Sequence, residues 1–166
     1  MSSITRYVGS GLVAAILLLG SLANAGNPPV SVDDAGRAIR GYDAVAYFTD
    51  GRPAAGNAAF FHDWKGVTWL FASAANRDAF AAEPERYAPR FGGYCAYAVS
   101  RGHVLKANPE VWSITDDRLY VFLSLGAQSR WNENVPRNLA RAVNNWPAAL
   151  IDEGRRNSIP DSGGDR

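Results

Sequence analysis

Trp69-Leu70-Phe71-Ala72-Ser73-Ala74-Ala75-Asn76-Arg77-Asp78-Ala79-Phe80-Ala81-Ala82-Glu83-Pro84 changes character at Ser73. The residues leading into it, Val67-Thr68-Trp69-Leu70-Phe71, are β-branched and aromatic, the types that suit a pleated, half-buried strand. After it comes an alanine-rich run. Ser73 is a good N-cap, because a hydroxyl there accepts from an orphan first-turn N–H. The spacing predicts a helix over 74–82 that Pro84 closes. With the hairpins on either side of it, this capped helix gives the class as α+β.

Upstream, Ala59-Phe60-Phe61-His62 leads through Trp64-Lys65-Gly66 into Val67, a hairpin around a glycine-containing turn. Downstream, Val111-Trp112-Ser113-Ile114, then Asp116-Asp117, then Leu119-Tyr120-Val121-Phe122-Leu123 reads as a second hairpin. Asp tolerates left-handed turn geometry better than most residues. Asp43 to Tyr47 reads as a short helical turn. Tyr94-Cys95-Ala96-Tyr97-Ala98-Val99 fits a helix or a strand, and the spacing of Tyr94, Tyr97 and Ala98 favours the helix. Leu139, Val143, Trp146 and Leu150 recur at helical intervals and predict an amphipathic helix, with Pro136 near its start and Pro147 to kink or end it. The expected architecture is one small antiparallel sheet of hairpins with helices packed on it.

The ends read differently. Arg6, an apolar run from Val8 to Leu22, and Ala23-Asn24-Ala25 follow the order of a secretory signal peptide. The run is about 15 residues, short of the roughly 20 that span a bilayer. Residues 1–25 are therefore expected to be removed, leaving no membrane span and a periplasmic or secreted protein. Residues 26–40 read as a leader, 41–150 as one domain with no repeat, and 151–166 as a disordered tail rich in Gly, Ser, Asp and Arg.

The chain has 166 residues, with Lys+Arg 17 against Asp+Glu 16. That balance argues against nucleic acid, whose phosphates call for a cationic surplus. A single Cys excludes an intrachain disulfide, a Cys₄ zinc site and a CxxCH haem site. No phosphate loop, dinucleotide fingerprint, nucleophile elbow or HExxH helix occurs.

The pattern Trp69-x-Phe71-Ala72-Ser73-x-x-Asn76-x-x-x-Phe80-x-x-x-Pro84-x-x-Tyr87 resembles the YHS domain, as does Gly41-Tyr42-Asp43-Ala44-Val45-Ala46-Tyr47-Phe48. Tyr87-Ala88-Pro89-Arg90-Phe91-Gly92-Gly93-Tyr94-Cys95-Ala96, Asn108-Pro109 with Trp112, Leu119-Tyr120, and Asn145-Trp146-Pro147 are similar to an exported branch of that family. The resemblance covers roughly residues 41–150. It implies a small treble-clef-related α+β unit and a link to heavy-metal handling. Metal-binding relatives carry Cys where this chain has Ala46, Ala72 and Asn76, and methyl groups cannot coordinate. The fold transfers on this reading, and the parent chemistry does not.

The remaining chemistry lies in few residues. Cys95 follows Gly92-Gly93 and reads either as a ligand or reactive thiol, or as a buried core cysteine. Cys95 with His103 and His62 matches a copper or zinc ligand set by residue type, although the separations match no local zinc signature. Cys95 and His103 also supply the residue types of a thiol enzyme, without its motif. Tyr42, Tyr47, Tyr94 and Tyr97 flank the strongest motifs and are candidates to line an apolar ligand pocket. The leading expectation is a binding protein that handles or senses copper or zinc through Cys95. The alternatives are a small-ligand or partner-binding module without metal, and a thiol-dependent enzyme.

Overall fold

Ser73 caps the helix expected there: its Oγ accepts from the Asn76 N–H at 3.1 Å, and the helix runs Ala74–Ala82. Residues 27–150 are described by a computed structural model. The elements in order are α1 (Ala46–Thr49), β1 (Asn57–Trp64), β2 (Val67–Phe71), α2 (Ala74–Ala82), α3 (Pro84–Tyr87), α4 (Ala96–Ser100), β3 (Asn108–Thr115), β4 (Arg118–Phe122), α5 (Leu125–Asn132) and α6 (Val135–Asn145). The ambiguous segment after Cys95 is helical, as α4. The class is α+β in a single domain, with two separate two-stranded antiparallel sheets, β1–β2 and β3–β4, in place of the one sheet expected. Among the described residues no helix is long and apolar enough to cross a membrane. The expected signal peptide, the first leader position Gly26 and the expected tail all lie outside the described residues.

The expectation of a block without a repeat is corrected by the backbone. A 3₁₀ turn, a short helix, a hairpin and a capped helix occur twice, first from Ile39 to Ala82 and again from Arg90 to Asn132. Asn57 and Asn108, Phe71 and Phe122, and Ser73 and Ser124 each stand 51 positions apart and do the same work. In both hairpins the long strand is irregular at the same place. Asn57 pairs with Phe71 and Phe61 with Leu70, while Asn108 pairs with Phe122 and Trp112 with Val121. At each irregularity the asparagine Oδ1 accepts a backbone N–H two residues on, from Ala59 and from Glu110. Both two-residue turns are left-handed, Lys65-Gly66 at φ 53° and 72° and Asp116-Asp117 at φ 50° and 52°. That geometry matches the right-handed twist of the strands it joins. Ser124 caps α5 as Ser73 caps α2, accepting from the Ala127 N–H at 3.3 Å. Part of the repeat is written in the sequence, since Gly41-Tyr42-x-Ala44-x-Ala46 recurs as Gly93-Tyr94-x-Ala96-x-Ala98, while the core positions need only apolar volume and differ.

Each repeat has its own core. Trp69, Phe71 and Phe80 fill the first, with Phe80 stacked 4.8 Å from Trp69 and 5.1 Å from Phe71. Tyr120, Phe122 and Trp131 hold the matching places in the second. Tyr87 packs only at the edge, against Phe48 at 5.4 Å. The repeats interlock. Leu119 from β4 lies in the first core, and the Tyr47 hydroxyl donates to the Pro109 carbonyl at 2.9 Å.

Two further expectations are corrected. Residues 27–40 are no loose leader: Val30, Ala38 and Ile39 are buried in the first core, and the Ser31 N–H donates to the Gly92 carbonyl. The final helix ends at Asn145, so Trp146 and Leu150 lie beyond it, and Asn138 and Ala142 supply its buried residues. Asn138 is tolerated inside because its Nδ2 donates to the carbonyls of Arg130 and Trp131, closing the end of α5.

Candidate functional site

Asp43 is the most heavily bonded buried side chain described, and its carboxylate is fully enclosed. Its Oδ1 accepts from the N–H groups of Val45 and Ala46, and its Oδ2 from the Ala72 N–H at 2.8 Å and from Asn76 Nδ2 at 2.7 Å. Ala46, Ala72 and Asn76, the positions at which the resemblance looks for cysteines, thus converge on one carboxylate. A buried anion is tolerable only when its lone pairs are met by donors, and here four donors meet it. Sequence reading placed Asp43 in a helical turn and missed this role. The signal available was an acidic residue followed by Ala44-Val45-Ala46, the pattern of a side chain capping its own turn.

Cys95 stands in the second repeat where Asp43 stands in the first. The Asp43 N–H donates to the Ala54 carbonyl at 2.8 Å and the Cys95 N–H to the Leu105 carbonyl at 2.9 Å. The counterparts of Ala72 and Asn76 are Leu123 and Ala127, so the hydrogen-bonded hub is replaced by apolar neighbours. The thiol is 1% exposed and belongs to the second core. His62 lies on β1, with its ring edge-on to Phe80 of the first core at 6.1 Å. His103 is exposed in the turn after α4, where its N–H donates to the Ala98 carbonyl. Among the described residues no three His, Cys, Asp or Glu side chains are grouped to hold a metal ion.

The four tyrosines do not share one pocket. Tyr47 is buried, with its hydroxyl on Pro109, and burial raises its pKa far above the ordinary phenol value. Tyr94 donates to the Pro28 carbonyl at 2.9 Å, and burial pushes its pKa up to about 12. Tyr97 is half-buried against the second core. Tyr42 lines a polar cleft with Asp33, Arg37, Arg40 and Glu110, and its hydroxyl donates to Glu110 Oε1 at 3.1 Å. Its pKa is raised by burial first and by Glu110 second. Burial raises Asp33, but hydrogen bonds from Arg37 and Ala35 outweigh it and hold the carboxyl below its usual range.

A second cleft, of about 470 Å³, has a different character. Its walls come from four stretches of the chain, one of them Pro29-Val30 near the start of the described residues. The first hairpin gives Trp64, Lys65 and Trp69, the 3₁₀ turn that opens the second repeat gives Arg90 and Phe91, and the stretch after α6 gives Trp146. Phe91 and Trp146 meet edge-to-face at 6.0 Å, and Trp64 and Trp69 at 5.8 Å. The Trp69 indole N–H is satisfied by the Trp64 carbonyl at 3.3 Å, and polar as well as apolar groups line the cleft. No local sequence signal marks this cleft, because its walls come from distant segments. Compared with protein-family models, with curated proteins and with solved structures, the chain matches none.

Proposed function

We propose that this protein is a binding module whose ligand is a small molecule with an apolar ring, held in the aromatic cleft between the first hairpin and the C-terminal segment. One observation carries the reading: four rings, Trp64, Trp69, Phe91 and Trp146, wall a single cleft of about 470 Å³. That volume falls in the roughly 300–1,000 Å³ range of small-ligand sites, which are mostly apolar with a few placed polar groups. Because three tryptophans line it, a bound ring should quench intrinsic fluorescence. Titration of the full chain with 2-naphthamide, a neutral bicyclic probe, should give saturable quenching. Trp146→Ala should weaken binding about tenfold through lost ring contact. Unsaturable quenching, or an unchanged Trp146→Ala protein, would overturn the reading.

The family resemblance, to an exported YHS-like, treble-clef-related unit, belongs to the same proposal. Export implies cleavage after Ala25, and the intact mass of the protein from its native host should begin at Gly26. Copper or zinc handling through Cys95, with His103 and His62, has the weaker support, because the thiol reaches a metal only if the second core opens. Tight Cu(I) or Zn²⁺ binding that Cys95→Ser abolishes would restore it. The thiol-enzyme reading meets the same obstacle, since a nucleophile has to meet its substrate.

A further inference from the structure

Two cations, Lys65 and Arg90, stand on the aromatic cleft against one carboxylate, Glu85. Lys65 is already engaged. Its Nζ donates to Glu85 Oε1 at 2.9 Å and lies 4.1 Å from the Trp64 ring centre. Arg90 has no carboxylate at ion-pairing distance among the described residues. Its guanidinium carbon lies 5.7 Å from the centre of the Phe91 ring, which lines the same cleft. The cleft therefore joins a wall of rings to one positive charge that Glu85 does not neutralise.

We propose that the cleft selects a flat ring compound bearing a carboxylate, with the ring against Trp64, Phe91 and Trp146 and the carboxylate on Arg90. This rests on the cleft being the ligand site. A guanidinium is planar, always charged and presents a fork that matches a carboxylate, so it is suited to this recognition. The backbone beside it is fixed. A side chain on Gly92 would overlap the Pro29 carbonyl oxygen, and the Gly92 carbonyl accepts from the Ser31 N–H at 2.8 Å. Arg90 thus projects from a pre-set rim, and binding loses little entropy in ordering the backbone that carries it.

The test pairs 2-naphthoate with 2-naphthamide, which share a ring and differ in charge, in tryptophan-fluorescence titrations of the full chain. Naphthoate should bind about tenfold more tightly, as charge-assisted hydrogen bonds are the stronger kind. Arg90→Gln, an exposed position, should remove the difference between the two probes. Equal binding of the two probes by the unmodified chain would overturn the anion preference and leave the cleft reading standing. A preference that survives in Arg90→Gln would overturn the role given to Arg90. If neither probe binds, the cleft reading falls and this inference with it.

Discussion

Asp43 and Cys95 occupy the same place in two repeats and do opposite things. The carboxylate ties the start of α1 to the start of α2 through four donors. Asp43→Asn keeps the shape but turns one acceptor into an NH₂ facing two of those donors. Unmet buried donors are costly, so the variant should lose about 2–4 kcal/mol of stability in urea denaturation. Cys95→Ala, by contrast, removes a buried sulfur from apolar surroundings and should cost about 1–2 kcal/mol through packing alone. Equal losses at the two positions would contradict the hub. The acidic residue was legible in Gly41-Tyr42-Asp43, but its partners at Ala72 and Asn76 were not, because they arrive from about 30 residues downstream.

At the scale of elements, the two capped helices α2 and α5 each drive one large ring into a core. Phe80 from α2 meets Trp69 and Phe71, while Trp131 from α5 meets Tyr120 and Phe122. Both rings are fully buried. Phe80→Ala and Trp131→Ala should each destabilise by about 3–5 kcal/mol in the same denaturation measurement. A loss under about 1 kcal/mol at either position would mean that helix does not anchor its repeat. α2 was legible because its signals are local: a cap, an alanine-rich run and a proline. α6 was misjudged because its buried residues answer to a neighbour. Asn138 goes inside to satisfy carbonyls at the end of α5, and the apolar Val143 stays 48% exposed.

At the scale of the whole molecule, two tyrosines fasten separate parts of the chain. Tyr47 ties α1 of the first repeat to β3 of the second, and Tyr94 ties the second repeat to Pro28. Burial raises the pKa of both above the unfolded value of about 10. A raised value means the folded state holds its phenol protons more tightly than the unfolded chain does. Their contribution is therefore complete below about pH 10 and is lost as pH rises, through about 12 in the case of Tyr94. Melting temperature should fall steeply between about pH 10 and 12. The double variant Tyr47→Phe, Tyr94→Phe should flatten that fall, and an unchanged alkaline slope would place its cause elsewhere. Because Leu119 of the second hairpin lies in the first core, both repeats should melt in one transition.

The sequence by itself determined the α+β class, both hairpins with their turns, and α2 to the residue. Those features rest on forces acting over a few positions: strand-suited side chains, a hydroxyl cap and residues that accept a left-handed turn. Only the tertiary structure decided that the chain is folded as two interlocked repeats, that Asp43 is a hub, that the candidate tyrosines are scattered, and that Trp64, Phe91 and Trp146 share a cleft. The repeat leaves a short trace, Gly41-Tyr42-x-Ala44-x-Ala46 and Gly93-Tyr94-x-Ala96-x-Ala98, but most of its positions accept many side chains of suitable volume. The hub and the cleft are made by segments tens of residues apart, and hydrogen bonds and ring packing depend on distance in space, for which separation along the chain gives no measure.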